Sequence, residues 1–152
     1  MNREKITIKI KEQFKKETIK NKDIELLYLT LSGAHLYGLD TPNSDIDVKG
    51  LYLTSVIDVK KTSPDFLNFS TNKNNSKNSK EDIDIELYSI NKFYKMLEVG
   101  DTNAYDLLFS IFSNHNILFF NKKMNYFKDN YKIFLTSNSK AFMGYVVQQT
   151  KK

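Results

Sequence analysis

The stretch from Ile24 to Leu53 constrains this chain most, because it sets an apolar run, a cluster of turn formers and a run of alternating carboxylates in immediate succession. Ile24-Glu25-Leu26-Leu27-Tyr28-Leu29-Thr30-Leu31 is short, apolar and followed by Ser32-Gly33, the pattern of a buried strand that feeds a tight turn. Leu39 to Ser44 then supplies Asp40, Thr41, Pro42, Asn43 and Ser44, residues that favour turns over regular structure. A strand over 45 to 53 is predicted next. Side chains alternate across a strand, so Asp45 and Asp47 would share one face while Ile46 and Val48 take the other. Carboxylates side by side repel, and a divalent cation is the simplest way to keep both ionised.

The remaining segments give a coarse order of elements. Residues 3 to 20 read mainly as an amphipathic helix, although the alternation of Ile6, Ile8 and Ile10 leaves a short strand open. From Thr62 to Lys80 the chain turns polar, and Asn72 to Lys80 contains only Asn, Lys and Ser, so a mobile surface loop is expected. Asp82-Ile83-Asp84-Ile85-Glu86-Leu87-Tyr88 alternates strictly, which predicts a third strand with Asp82, Asp84 and Glu86 on its acidic face. Ser89 is placed to cap a helix from Ile90 to about Val99 that turns Phe93, Met96 and Leu97 inward and ends at Gly100. Further helices are expected around 104–112, 121–135 and 139–149. The order is that of an α+β domain with a small mixed or antiparallel sheet and flanking helices. One domain is expected over 1–152, with the core motif in 25–90 and a helical part in 90–152.

Composition narrows the function classes. The 152 residues are 40% hydrophobic and 13% aromatic, enough for a folded core. The net charge of +5 permits nucleic acid or nucleotide partners, but the lysines are read chiefly as solvated faces, since they form no compact basic stripe. The absence of cysteine excludes disulfides and thiolate metal sites. No apolar run is long enough to span a bilayer and the N-terminus has no apolar leader, so no membrane partner and a cytoplasmic location are expected.

Oxygen ligands, water and substrate phosphates suit magnesium, and two or three carboxylates on one sheet face are enough protein ligands for it. In a two-metal site one ion activates an attacking hydroxyl while the other neutralises a triphosphate and its leaving group. Gly33 and Gly38 could bring backbone N–H groups close to phosphate. Taken singly each element has a plain alternative, including a solvated strand face and a charged edge that discourages aggregation.

In conjunction these residues resemble the nucleotidyltransferases of the DNA polymerase β superfamily. Gly33-Ala34 stands in the place of that superfamily's Gly-Ser element, Ser44-Asp45-Ile46-Asp47-Val48 in the place of its Asp-x-Asp strand, and Asp84 or Glu86 in that of its third acid. The closer resemblance is to the predicted RNA-ligase-associated nucleotidyltransferase branch, carried by Gly33, Tyr37, Gly38, Leu39, Thr41, Pro42, Ser44, Asp45, Asp47 and Gly50 in register. Softer matches follow at Asp84, Tyr88, Lys92-Phe93, Ala104 to Phe109 and Ala141-Phe142-x-Gly144-Tyr145 with Gln148.

This resemblance implies a polymerase-β-like fold and a magnesium-dependent transfer of a nucleoside monophosphate from a nucleoside triphosphate to an acceptor hydroxyl, such as an RNA end. It further implies Asp45, Asp47 and Asp84 as catalytic metal ligands, with Glu86 as the alternative third acid. Gly33, Ala34, His35 and Ser44 would attend the nucleotide. One departure stands out: Ala34 replaces the usual serine and removes a hydroxyl that would bond a terminal phosphate, an interaction worth about 1.5–3 kcal/mol, and Ser32 and His35 are the candidates to replace it. Relatives also generally continue into further helices that would recognise the acceptor. Two other readings stay open: a catalytically degenerate nucleotide- or RNA-binding module, and an enzyme that modifies a protein side chain.

Overall fold

The computed structural model describes residues 3–18, 24–54, 65–71 and 83–150. Helix α1 spans Arg3–Glu17 and is followed by strands β1 (Ile24–Leu31), β2 (Ile46–Thr54), β3 (Phe66–Ser70) and β4 (Ile83–Ser89). Helices α2 (Ile90–Glu98) and α3 (Thr102–Ser110), strand β5 (Ile117–Phe120) and helices α4 (Asn125–Asn130) and α5 (Lys140–Gln149) complete the order. The strands form one mixed sheet in the order β3-β4-β2-β1-β5. Among the described residues only the β2–β4 pair is parallel; β1 runs antiparallel to both its neighbours, as β3 does to β4.

Helix α1 settles the ambiguity of its isoleucines. Ile6, Ile10 and Phe14 are buried at spacings of four, the helical period, whereas Ile8 between them is 51% exposed. This stripe packs on one side of the sheet against Leu29, Leu31, Val48, Tyr52, Ile83, Ile85 and Leu87. Each fully buried aliphatic side chain there contributes about 1.5–3 kcal/mol. On the opposite side Phe93, Met96 and Leu97 of α2 and Ala104, Leu107 and Leu108 of α3 cover Tyr28, Leu51 and Tyr88. The Ser89 hydroxyl accepts from the Lys92 amide and caps α2 as its sequence predicts. Asp101 caps α3 in the same way, accepting from the amides of Asn103 and Ala104.

Three expectations need correction. The polar stretch 62–80 is not all loop, because Phe66–Ser70 forms β3 on the sheet edge beside β4; the Asn, Lys and Ser run at 72–80 lies outside the described residues. Ile117–Phe120 is a further strand, too short and too uniformly apolar to show a period. The helix expected over 121–135 is broken into a 3₁₀ turn at Lys122–Met124, the short α4, and another 3₁₀ turn at Tyr131–Phe134. Among the described residues no helix is long and apolar enough to cross a membrane.

Candidate active site

Strand periodicity and register together build the site. Along β2 the residues facing α2 and α3 are Asp47, Lys49 and Leu51, and along β4 they are Asp84, Glu86 and Tyr88. Parallel pairing sets them opposite one another as Asp47 with Asp84, Lys49 with Glu86 and Leu51 with Tyr88. One sheet face is therefore apolar where the helices cover it and charged toward the N-terminal ends of β2 and β4. A pocket of about 520 Å³ opens over the charged end, lined by Ser32, Gly33, Asp47, Val48, Lys49, Asn68, Asp84 and Glu86. Such a volume lies within the usual range for small-molecule sites.

The turn after β1 forms the rim of this pocket. The Ser32 amide donates to the Asp47 carbonyl at 2.9 Å, which ties the end of β1 to the start of β2. Gly33 opens a 3₁₀ turn through His35 at φ +59°, and a Cβ at Gly33 would stand 2.7 Å from Asp47 Oδ2. The carboxylate thus occupies space that only glycine leaves free. Ser32 Oγ is buried and has no hydrogen-bond partner among the described residues. An orphaned hydroxyl beside the carboxylates is a feature that a bound phosphate or water would satisfy.

Electrostatics single out Asp47. Burial, the Asp84 charge and then the Asp45 charge push its carboxyl above the usual carboxylate range, with Lys49 opposing them. Asp84 has no hydrogen-bond or ion-pair partner among the described residues, and neither does the Asp47 side chain. Glu86 is engaged: Lys49 Nζ lies 3.7 Å from its Oε2, and the Tyr88 hydroxyl donates to the same oxygen at 3.1 Å. Lys49 Nζ also donates to Asn103 Oδ1 of α3 at 2.6 Å.

The pocket gathers Ser32, Gly33, Asp47, Asp84 and Glu86 from the residues singled out in the sequence, and leaves Asp45, Ala34, His35 and Ser44 outside its lining. Asp45 lies one residue before β2, exposed and outside the lining, although its charge reaches Asp47. Ser44 is spent within the turn, its Oγ accepting from the Thr41 amide at 2.9 Å. His35 Nδ1 pairs with Asp40 Oδ2 at 3.3 Å, while its buried Nε2 has no partner among the described residues. Ala34 and His35 do not line the pocket. Tyr37 is 62% exposed and its hydroxyl donates to Asp106 Oδ1 of α3 at 2.7 Å. Among the described residues no group of three His, Asp or Glu side chains is arranged as a ready metal-binding set. Asp47 and Asp84 nevertheless fit a hard divalent cation by donor chemistry, as paired oxygen donors whose repulsion the cation would relieve.

Sequence reasoning missed Asn68 and Asn103. Asn68 enters from β3, opposite Glu86, and the alternation of Leu67 and Phe69 with Asn68 and Ser70 was the signal that a strand carries it there. No local pattern marks Asn103, which reaches the site only because α3 crosses the sheet face.

A five-stranded mixed sheet with flanking helices and an acidic pocket behind a glycine turn is the polymerase-β-like nucleotidyltransferase fold. The chain belongs to the RNA repair pathway DNA polymerase beta family, whose model it matches over residues 6–151. It is also 34% identical over 121 residues to an uncharacterized 38.9 kDa protein encoded in the nrdC-mobD intergenic region of Enterobacteria phage T4. That match covers 79% of this chain and 36% of the phage protein, so the chain spans about a third of this relative's length.

Proposed function

We propose that this protein is a magnesium-dependent nucleotidyltransferase that moves a nucleoside monophosphate from a nucleoside triphosphate to an acceptor hydroxyl, with an RNA end as the acceptor class. The observation that carries the reading is the register pairing of Asp47 with Asp84 beneath the Ser32-Gly33 turn. The family's link to RNA repair supports the acceptor class.

In this reading Asp47 and Asp84 hold the metal from within the pocket, and Asp45 joins them by turning in from its exposed position before β2. Bound magnesium would neutralise the triphosphate and acidify the attacking hydroxyl. Gly33 and Ala34 present backbone donors to the terminal phosphates, and the unpartnered Ser32 hydroxyl is placed to add one more where Ala34 has none. Labelled nucleotide should enter RNA in a magnesium-dependent reaction, and Asp45→Ala and Asp47→Ala proteins that retain the wild-type circular dichroism spectrum should lose it. Incorporation that survives both substitutions would sink the proposal.

Two observations favour a second reading, that of a nucleotide- or RNA-binding module without transfer activity. Asp45 is exposed and outside the pocket lining, and Ser44 is committed to its turn. That reading predicts nucleotide binding that persists in the Asp45→Ala protein together with no incorporation by the unmodified chain.

A further inference from the structure

Strand periodicity places Asp84 and Glu86 on the same face of β4, so either could supply the third acid. Their surroundings differ. Asp84 has no partner among the described residues, whereas one oxygen of Glu86 receives the Tyr88 hydroxyl at 3.1 Å and faces Lys49 Nζ at 3.7 Å. Lys49 is itself fixed, because Asn103 Oδ1 in the first turn of α3 accepts from Nζ at 2.6 Å. The lysine thus spans from β2 to β4 and α3 at the inner edge of the pocket, directly opposite Glu86 in the parallel register.

We propose that Lys49 is a positioning residue that holds Glu86 in an ion pair at the pocket wall, away from metal ligation, and so leaves Asp84 as the third carboxylate of the metal site. The inference rests on the metal-dependent reading above. Its physical logic is coordination number: magnesium keeps several positions for waters and substrate phosphates, and an additional carboxylate would occupy one that the substrate needs. Glu86 is one methylene longer than aspartate and lies on the same face as Asp84. It therefore has the reach to ligate the metal from the pocket wall if its cation is removed. Lys49, tethered to Asn103, keeps that carboxylate paired with a cation instead of with the metal.

Manganese(II), titrated into the folded protein and followed by electron paramagnetic resonance, tests this without any turnover. Asp84→Asn should weaken binding about tenfold, equivalent to about 1.4 kcal/mol, while Glu86→Gln should change it by no more than about twofold. In a Lys49→Met background the same Glu86→Gln change should weaken binding about fivefold or more, because Glu86 has become a ligand. Lys49→Met combined with Asp84→Asn should bind manganese more tightly than Asp84→Asn alone, and Lys49→Arg should behave as the unmodified protein.

A Glu86→Gln effect that is the same in both backgrounds would show only a long-range field and would overturn the inference. So would a Glu86→Gln loss equal to that of Asp84→Asn in the unmodified background, a comparison that stands even if Lys49→Met does not fold. Absence of manganese binding by the unmodified protein would instead overturn the metal-dependent function itself, and the inference with it.

Discussion

The contact between Gly33 and Asp47 supports a prediction that separates backbone strain from side-chain displacement. Gly33 and Gly38 both adopt positive φ, +59° and +67°. An alanine in that region costs about 1–2 kcal/mol. The two sites differ in what the new methyl group meets. At Gly38 nothing lies within 4 Å, whereas at Gly33 the Cβ would stand 2.7 Å from Asp47 Oδ2. A carboxylate pushed that far must leave its preferred rotamer, at about 0.5–1.5 kcal/mol. Gly38→Ala should therefore lose about 1–2 kcal/mol in urea unfolding, and Gly33→Ala about 1.5–3.5 kcal/mol, the sum of both effects. The excess belongs to Asp47, so in an Asp47→Ala background the Gly33→Ala change should fall back to the Gly38→Ala value. Equal losses for the two glycines, or an excess that survives removal of Asp47, would refute the claim that Gly33 makes room for this carboxylate.

Two further predictions concern charge and capping. Asp47 has its carboxyl raised in the folded protein by burial and by Asp84, so its stabilising share is complete at pH below the unfolded carboxylate value and is lost as pH rises through the folded one. Asp47→Asn should accordingly raise stability at pH 7 without metal and flatten the fall in stability above about pH 4, as read from chemical unfolding at a series of pH values. Removing the α3 cap with Asp101→Ala should cost about 1 kcal/mol in thermal or urea unfolding, since two helix amides lose the acceptor that Asp101 Oδ1 provides at 2.9 and 3.4 Å.

Much of this architecture was legible in the sequence because it depends on local chemistry. The four-residue spacing of Ile6, Ile10 and Phe14, the strict alternation from Ile83 to Leu87 and the Ser89 cap each express a backbone geometry within a few neighbouring residues. The edge strands were harder to read. β3 hides in a polar stretch and holds its place through antiparallel bonds to β4, while β5 is four residues long and is defined by its pairing with β1. In both, pairing with another strand decides what local propensity leaves open.

The sequence by itself determined the glycine turn, the Asp45-x-Asp47 spacing, the acidic face of β4 and membership in a nucleotidyltransferase family. Only the tertiary structure decided which of these residues meet. Period-two alternation fixes the face on which a side chain stands but says nothing about what stands opposite, because β2 and β4 are brought together by a connection of many residues. Their parallel register puts Asp84 beside Asp47 and Glu86 beside Lys49. The crossing of α3 then adds Asn103 to the lysine and Asp106 to Tyr37, contacts between residues 54 and 69 positions apart in the chain. Such contacts arise from packing one element on another, and no pattern within either element encodes them.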